Sequence, residues 1–180
     1  ARRANCELEV ALNRRLAPAV YIGVVPLCAD EQLLVLEGRG TAVEWLVKMH
    51  YLPRERTLEH TATAGTLREQ DLAALLAKLA VFYANAVRAP WDGQAYRQTL
   101  QREIVRYARE LAATDLEIDA AKVQTLAERL LRFLDRRSAL FDARIAAGRI
   151  VDTHGDLRPE HVFLTEPEPQ IIDCLEFSAQ

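Results

Sequence analysis

Apolar residues recur near helical spacing between Arg2 and Leu16, at Cys6, Leu8, Leu12 and Leu16, with charges between them, and Pro18 closes the run. The β-branched segment Tyr21 to Leu27 reads as a strand. Gln32 to Glu37, the turn Gly38-Arg39-Gly40 and Ala42 to Met49 then read as two strands joined in a hairpin. Beyond Pro53 the period changes. Thr66-Leu67-Arg68-Glu69 has the form of a capping box. It precedes a helical stripe of Leu72, Leu75, Leu76, Leu79, Phe82 and Tyr83 that stops before Pro90. A second helix is expected over Tyr96 to Ala113, and a third from Asp119 to Ala147 with Gly148 as a left-handed cap. The chain returns to strand at Arg149–Asp152. It then predicts a hairpin, His161 to Leu164 and Gln170 to Phe177, around the turn Glu166-Pro-Glu-Pro169. No repeat or sustained heptad is present.

The length of 180 residues fits one domain or two small lobes. A 50% hydrophobic content supplies a core, and a formal net charge of −3 argues against a basic coat for nucleic acid or anionic membranes. No stretch nears the ~20 apolar residues that cross a bilayer, and no signal peptide precedes the first helix, so a cytoplasmic protein is expected. Cys6, Cys28 and Cys174 lie far apart with no paired spacing, which predicts reduced, packed thiols. Met49 is the only methionine and residue 1 is Ala, so a piece of a longer protein is expected.

The segment richest in chemistry is His154-Gly155-Asp156-Leu157-Arg158-Pro159-Glu160-His161, followed by Ile171-Ile172-Asp173. It resembles the aminoglycoside phosphotransferase-like branch of the protein-kinase fold, whose catalytic loop runs His-x-Asp-x-x-x-x-Asn and whose next hairpin carries a metal-binding Asp. The stretch from Gly148 to His161 looks like one subgroup, the phosphotransferase half of bifunctional proteins that also carry a P-loop ATP-binding domain. No Gly-x-x-x-x-Gly-Lys-Ser/Thr occurs here, so a downstream P-loop domain is an implied partner in the parent protein.

The resemblance implies an α+β, kinase-like two-lobed fold. Residues 1–53 would be a partial nucleotide-binding lobe and hinge, and 54–180 a helical lobe with catalytic loop and metal hairpin. It implies Asp156 as the base for an acceptor hydroxyl and Asp173 as a ligand of Mg²⁺ beside the phosphates of ATP. His154 would brace the loop. Arg158 would neutralise phosphoryl charge or pair with Glu160. His161 stands where most of the family has Asn, and an imidazole suits softer divalent ions than Mg²⁺. Glu176 would lie near the metal or the acceptor. In the front half Glu9 resembles the helix glutamate that pairs with a phosphate-gripping lysine, Glu7 being the weaker candidate. Met49, His50 and Tyr51 resemble the hinge that receives adenine. The alternative, Lys48 as the phosphate lysine, requires a further helix and strand pair where Pro53 and a helical region follow. The arginines Arg129, Arg132, Arg136 and Arg137 read as a solvated helix face, and Trp45 and Trp91 as packing residues.

The function implied is an ATP-dependent phosphotransferase acting on a hydroxyl of a small molecule. A kinase-like binding or regulatory module without turnover is the alternative.

Overall fold

The computed structural model describes residues 1–30, 33–114 and 118–174. It has two compact units, one made of Ala1–Ala86 and the residues from Thr153 onward, the other of Val87–Asp152.

In the first unit helix α1 (Arg2–Asn13) packs on strands β1 (Tyr21–Asp30) and β3 (Thr41–Met49). Strand β2 (Leu33–Leu36) lies on the other side of β1, so the sheet order is β2-β1-β3 and both neighbours of β1 are antiparallel to it. The expected hairpin between β2 and β3 is therefore corrected: the hairpin is β1 with β2, where Asp30 pairs with Leu33. Leu33-Leu-Val-Leu36 is apolar on both faces, so its pattern carried no information about its partner. All four of its side chains are exposed. Glu37 at φ 56° turns the chain back, and Gly38 then passes tightly over β1. A Cβ there would stand 3.3 Å from that of Cys28.

Thr57 starts a short helix that the apolar pattern had not signalled, α2 (Leu58–Thr63), by accepting the His60 N–H at 3.1 Å. Helix α3 (Glu69–Ala84) begins at Arg68, not at Thr66. Arg68 N–H donates to the Asp71 carboxylate at 3.1 Å, and the Arg68 guanidinium holds that carboxyl below the usual range. The Thr66–Glu69 box thus gives way to a lock two residues later, because Asp71 reaches the Arg68 backbone and guanidinium together.

Strands β4 (Val162–Phe163) and β5 (Gln170–Ile171) form the expected hairpin, shorter than its apolar runs. Leu16, Leu75, Val162, Leu164 and Ile171 make one buried cluster, with Leu58, Leu67, Leu79 and Phe82 packed on it. Val10, Ala17, Val20 and Tyr21 make a second, against Val24, Val47, Leu52 and Ile172. The hairpin thereby packs on α3 and on Leu16 just beyond α1, and burial of these side chains, about 1.5–3 kcal/mol each, fixes the segment leading to Asp173.

The second unit holds α4 (Gly93–Ala112), α5 (Ala120–Arg136) and α6 (Ser138–Ala146). Asp92 and Asp119 cap α4 and α5 by accepting Ala95 and Ala121 N–H groups at 2.7 and 2.9 Å. The expected third helix is split at Arg137, whose ψ of 25° departs from helical backbone. The break brings Phe141 onto Phe133 at 6.2 Å and onto Tyr96 at 6.4 Å. Gly148 takes the left-handed conformation expected of it, φ 63°.

Candidate active site

The site forms where the loop after Thr153 meets the strand end after Ile171. Gly155, at φ 85°, lets the loop turn back on itself. His154 is fully buried, and both of its ring nitrogens are engaged. Nδ1 faces the Asp156 N–H at 3.3 Å and so accepts from it, which leaves Nε2–H to donate to the Ile172 carbonyl at 2.9 Å. Burial is the leading cause that lowers its pKa, ahead of the opposing bond to Ile172, so His154 is a neutral brace with its tautomer set by its neighbours. Its two bonds join the loop at Asp156 to the strand end at Ile172.

A single helical turn at Pro159–His161 brings His161 back toward Asp156. Its Nδ1 lies 2.9 Å from the Asp156 carbonyl and donates to it. The other nitrogen, Nε2, is thereby aimed at Asp173 Oδ2, 3.1 Å away. Asp156 Oδ2 lies 3.7 Å from Nδ1. Asp156, His161 and Asp173 each offer a ligand atom within 4.8 Å of the others. With Nδ1 bound to the Asp156 carbonyl, Nε2 is the ring atom left to face the Asp173 carboxylate, across 3.1 Å. That spacing matches neighbouring ligands held about 2.1 Å from one octahedral ion. Two carboxylates and one imidazole suit a small divalent ion, so the residues fit the metal the motif implies.

The other expected site residues are distributed around this cluster. Arg158 is exposed and paired with Glu160. Met49 ends β3 opposite Tyr21, His50 N–H donates to the Val20 carbonyl at 2.8 Å, and Tyr51 is exposed. Among the described residues no hydrogen bond or ion pair joins Met49, His50 or Tyr51 to the cluster. Half-buried Glu9 on α1 acts on the same phenol as Asp173. The Tyr21 hydroxyl is pushed up to about 12 by burial first, with the fields of Glu9 and Asp173 adding to it and the Asp173 backbone bond opposing it. Glu176 lies outside the described residues.

Two further contacts were not anticipated. Cys174 N–H donates to Asn13 Oδ1 at 2.8 Å, and Asp173 N–H points to the Tyr21 hydroxyl at 3.5 Å. Asn13 is 1% exposed. Its signal in the sequence was a polar residue beside Leu12 on the inward side of an apolar stripe.

The description "Phosphotransferase enzyme family" matches residues 1–177. The chain belongs to that family. Its fold is accordingly the protein-kinase-like one, mixed α+β with a small antiparallel sheet. Among curated proteins it is 31% identical over 178 residues to an uncharacterized protein of Mycobacterium tuberculosis, covering 98% of this chain. An uncharacterized protein of Mycobacterium bovis matches to the same extent. This chain spans 34% of the length of each of these relatives. No solved structure matches it. Among the described residues no helix is long and apolar enough to cross a membrane.

Proposed function

We propose that this phosphotransferase-family chain contributes the catalytic loop and metal hairpin of an enzyme that moves the γ-phosphoryl group of ATP to a hydroxyl of a small molecule. The observation that carries the reading is the convergence on one point of Asp156 and His161, from one loop, with Asp173, from the strand end beyond it. Residues 1–53 serve the nucleotide, with Glu9 facing the phosphate side and Met49, His50 and Tyr51 as the hinge. Residues 54–180 carry the chemistry.

In the transfer, the acceptor oxygen forms a bond to the γ-phosphorus. The bond from that phosphorus to the β,γ-bridging oxygen breaks, and ADP leaves with the electron pair. Asp156, its side chain one-third exposed, orients the acceptor hydroxyl and takes its proton. Asp173 and His161 would hold the divalent ion, Mg²⁺ in most of the family. When bound, that ion neutralises phosphate charge. Arg158 is able to exchange Glu160 for a phosphoryl oxygen, because an exposed pair contributes only about 0–1 kcal/mol. Use of ATP puts the reaction in the cytoplasm. The greater length of the relatives leaves room for the separate P-loop domain that the motif implies.

The test is ATP consumption by the whole protein with a panel of hydroxyl acceptors and Mg²⁺ or Mn²⁺, repeated with Asp156→Asn. Loss of about 10²–10⁴-fold in the variant, with the fold intact, is the expected result. ATP-induced thermal stabilisation without turnover in either form would replace this reading with that of a binding module.

A further inference from the structure

Asp173 sits at φ 63°, in left-handed backbone. Non-glycine residues are uncommon there, and although Asp adopts this region more readily than most, its neighbours decide whether it is held there. At this position the constraint comes from side chains far away in sequence. Asn13 on α1 accepts the Cys174 N–H at 2.8 Å, and its own amide donates to the Glu9 carbonyl at 2.9 Å. The Tyr21 hydroxyl lies 3.5 Å from the Asp173 N–H. The Ile172 carbonyl accepts the His154 Nε2–H hydrogen bond at 2.9 Å, and the Ile172 N–H donates to the His161 carbonyl at 3.0 Å.

Packing alone does not explain an amide at 1% exposure or a phenol at 4%. Leucine and phenylalanine would fill the same space without the cost of burying polar atoms, so these polar atoms are retained for their bonds. The bonds fall on two consecutive backbone N–H groups, those of Asp173 and Cys174, at the left-handed residue that follows β5.

We propose that Asn13 and Tyr21 are positioning residues that impose the left-handed backbone of Asp173 and so aim its carboxylate at Nε2 of His161. The inference rests on the reading of Asp173 as a metal ligand. Glu9 and Asn13 are four residues apart, on one face of α1, and are joined by the Asn13 amide. A shift of α1 therefore moves the phosphate-side carboxylate and the backbone of the metal-side carboxylate together.

The test uses the whole protein with Asn13→Ala and Tyr21→Phe, the second removing one oxygen atom only. Two readouts are taken: the Mn²⁺ concentration for half-maximal binding, and deuterium exchange of the amides from Ile171 to Cys174 with no metal present. A loss of about tenfold in Mn²⁺ affinity for Asn13→Ala, and a smaller loss for Tyr21→Phe, is expected, as for other groups that orient a ligand. Faster exchange at Cys174 and Asp173 accompanies it. A lowered melting temperature with unchanged Mn²⁺ binding and unchanged exchange overturns the proposal, because a purely structural role moves only the first. If Asn13→Ala does not fold, Tyr21→Phe decides on the same readouts. If the unaltered protein binds no Mn²⁺, the reading of Asp173 as a ligand fails. The exchange rates then decide the positioning claim by themselves, and unchanged rates reject it.

Discussion

Around the loop at 153–161 the chain is tied by side chains that reach backbone groups far away in sequence, whereas in Val87–Asp152 the ties are rings, helix caps, the Arg97–Asp142 ion pair and a short backbone ladder. Asn13, Tyr21 and His154 each bond the segment 172–174, and Arg15 reaches the Thr153 carbonyl and Cys174 Sγ at 3.3 and 3.0 Å. In the helical unit Tyr96 packs with Trp91 and Phe141 at 6.4 Å each, and Ala89 and Asp152 N–H groups donate to Ile150 and Val87 carbonyls at 3.0 and 2.8 Å. Only Ala127 and Leu134 are buried there among the described residues, while Leu126, Leu130, Phe133 and Leu140 stay exposed. Apolar packing is non-directional and tolerates adjustment. Hydrogen bonds to a strained backbone do not, so geometry is specified tightly in one unit and loosely in the other.

That contrast breaks most visibly at His154. Replacing it with Ala strips the Ile172 carbonyl and the Asp156 N–H of their partners and leaves a cavity, a cost of about 2–5 kcal/mol. Thermal or urea unfolding should show this loss together with loss of metal binding. A loss of stability with the metal site untouched would mean that the brace is not what links the loop to the hairpin.

A smaller effect is expected in the helical unit. Gly148→Ala meets a left-handed backbone at φ 63° and would place its Cβ 2.6 Å from Arg88 Nε. The arginine end is able to swing away, so the backbone penalty of about 1 kcal/mol dominates. Unfolding of the variant should register that loss with Mn²⁺ affinity unchanged. A change in metal affinity would show that the two units are not specified independently.

The sequence made legible those parts whose signals are local. The helical stripe of α1, the β-branched run of β1 and the spacing of Asp156, His161 and Asp173 each lie within a short window. The partner of β2 was illegible because Leu33–Leu36 is apolar on both faces and offers no alternation to choose a side. The short α2 has too few residues for a periodic stripe, and its start at Thr57 is a cap without one. The break at Arg137 has no Gly or Pro to announce it; the stacking of Phe141 on Phe133 accompanies it. Asn13 and Tyr21 escaped notice because their partners are 161 and 152 residues away, a proximity that only the folded chain creates.

We propose that Asp156, His161 and Asp173 together bind one divalent ion. The most direct measurement of this is Mn²⁺ binding to the whole protein, followed by the paramagnetic broadening of the His161 ring resonances and repeated with Asp173→Asn. A single site that selectively broadens His161, weakened well beyond about tenfold in the variant, is the predicted result. Binding of equal strength in the variant, or none that touches His161, would contradict it.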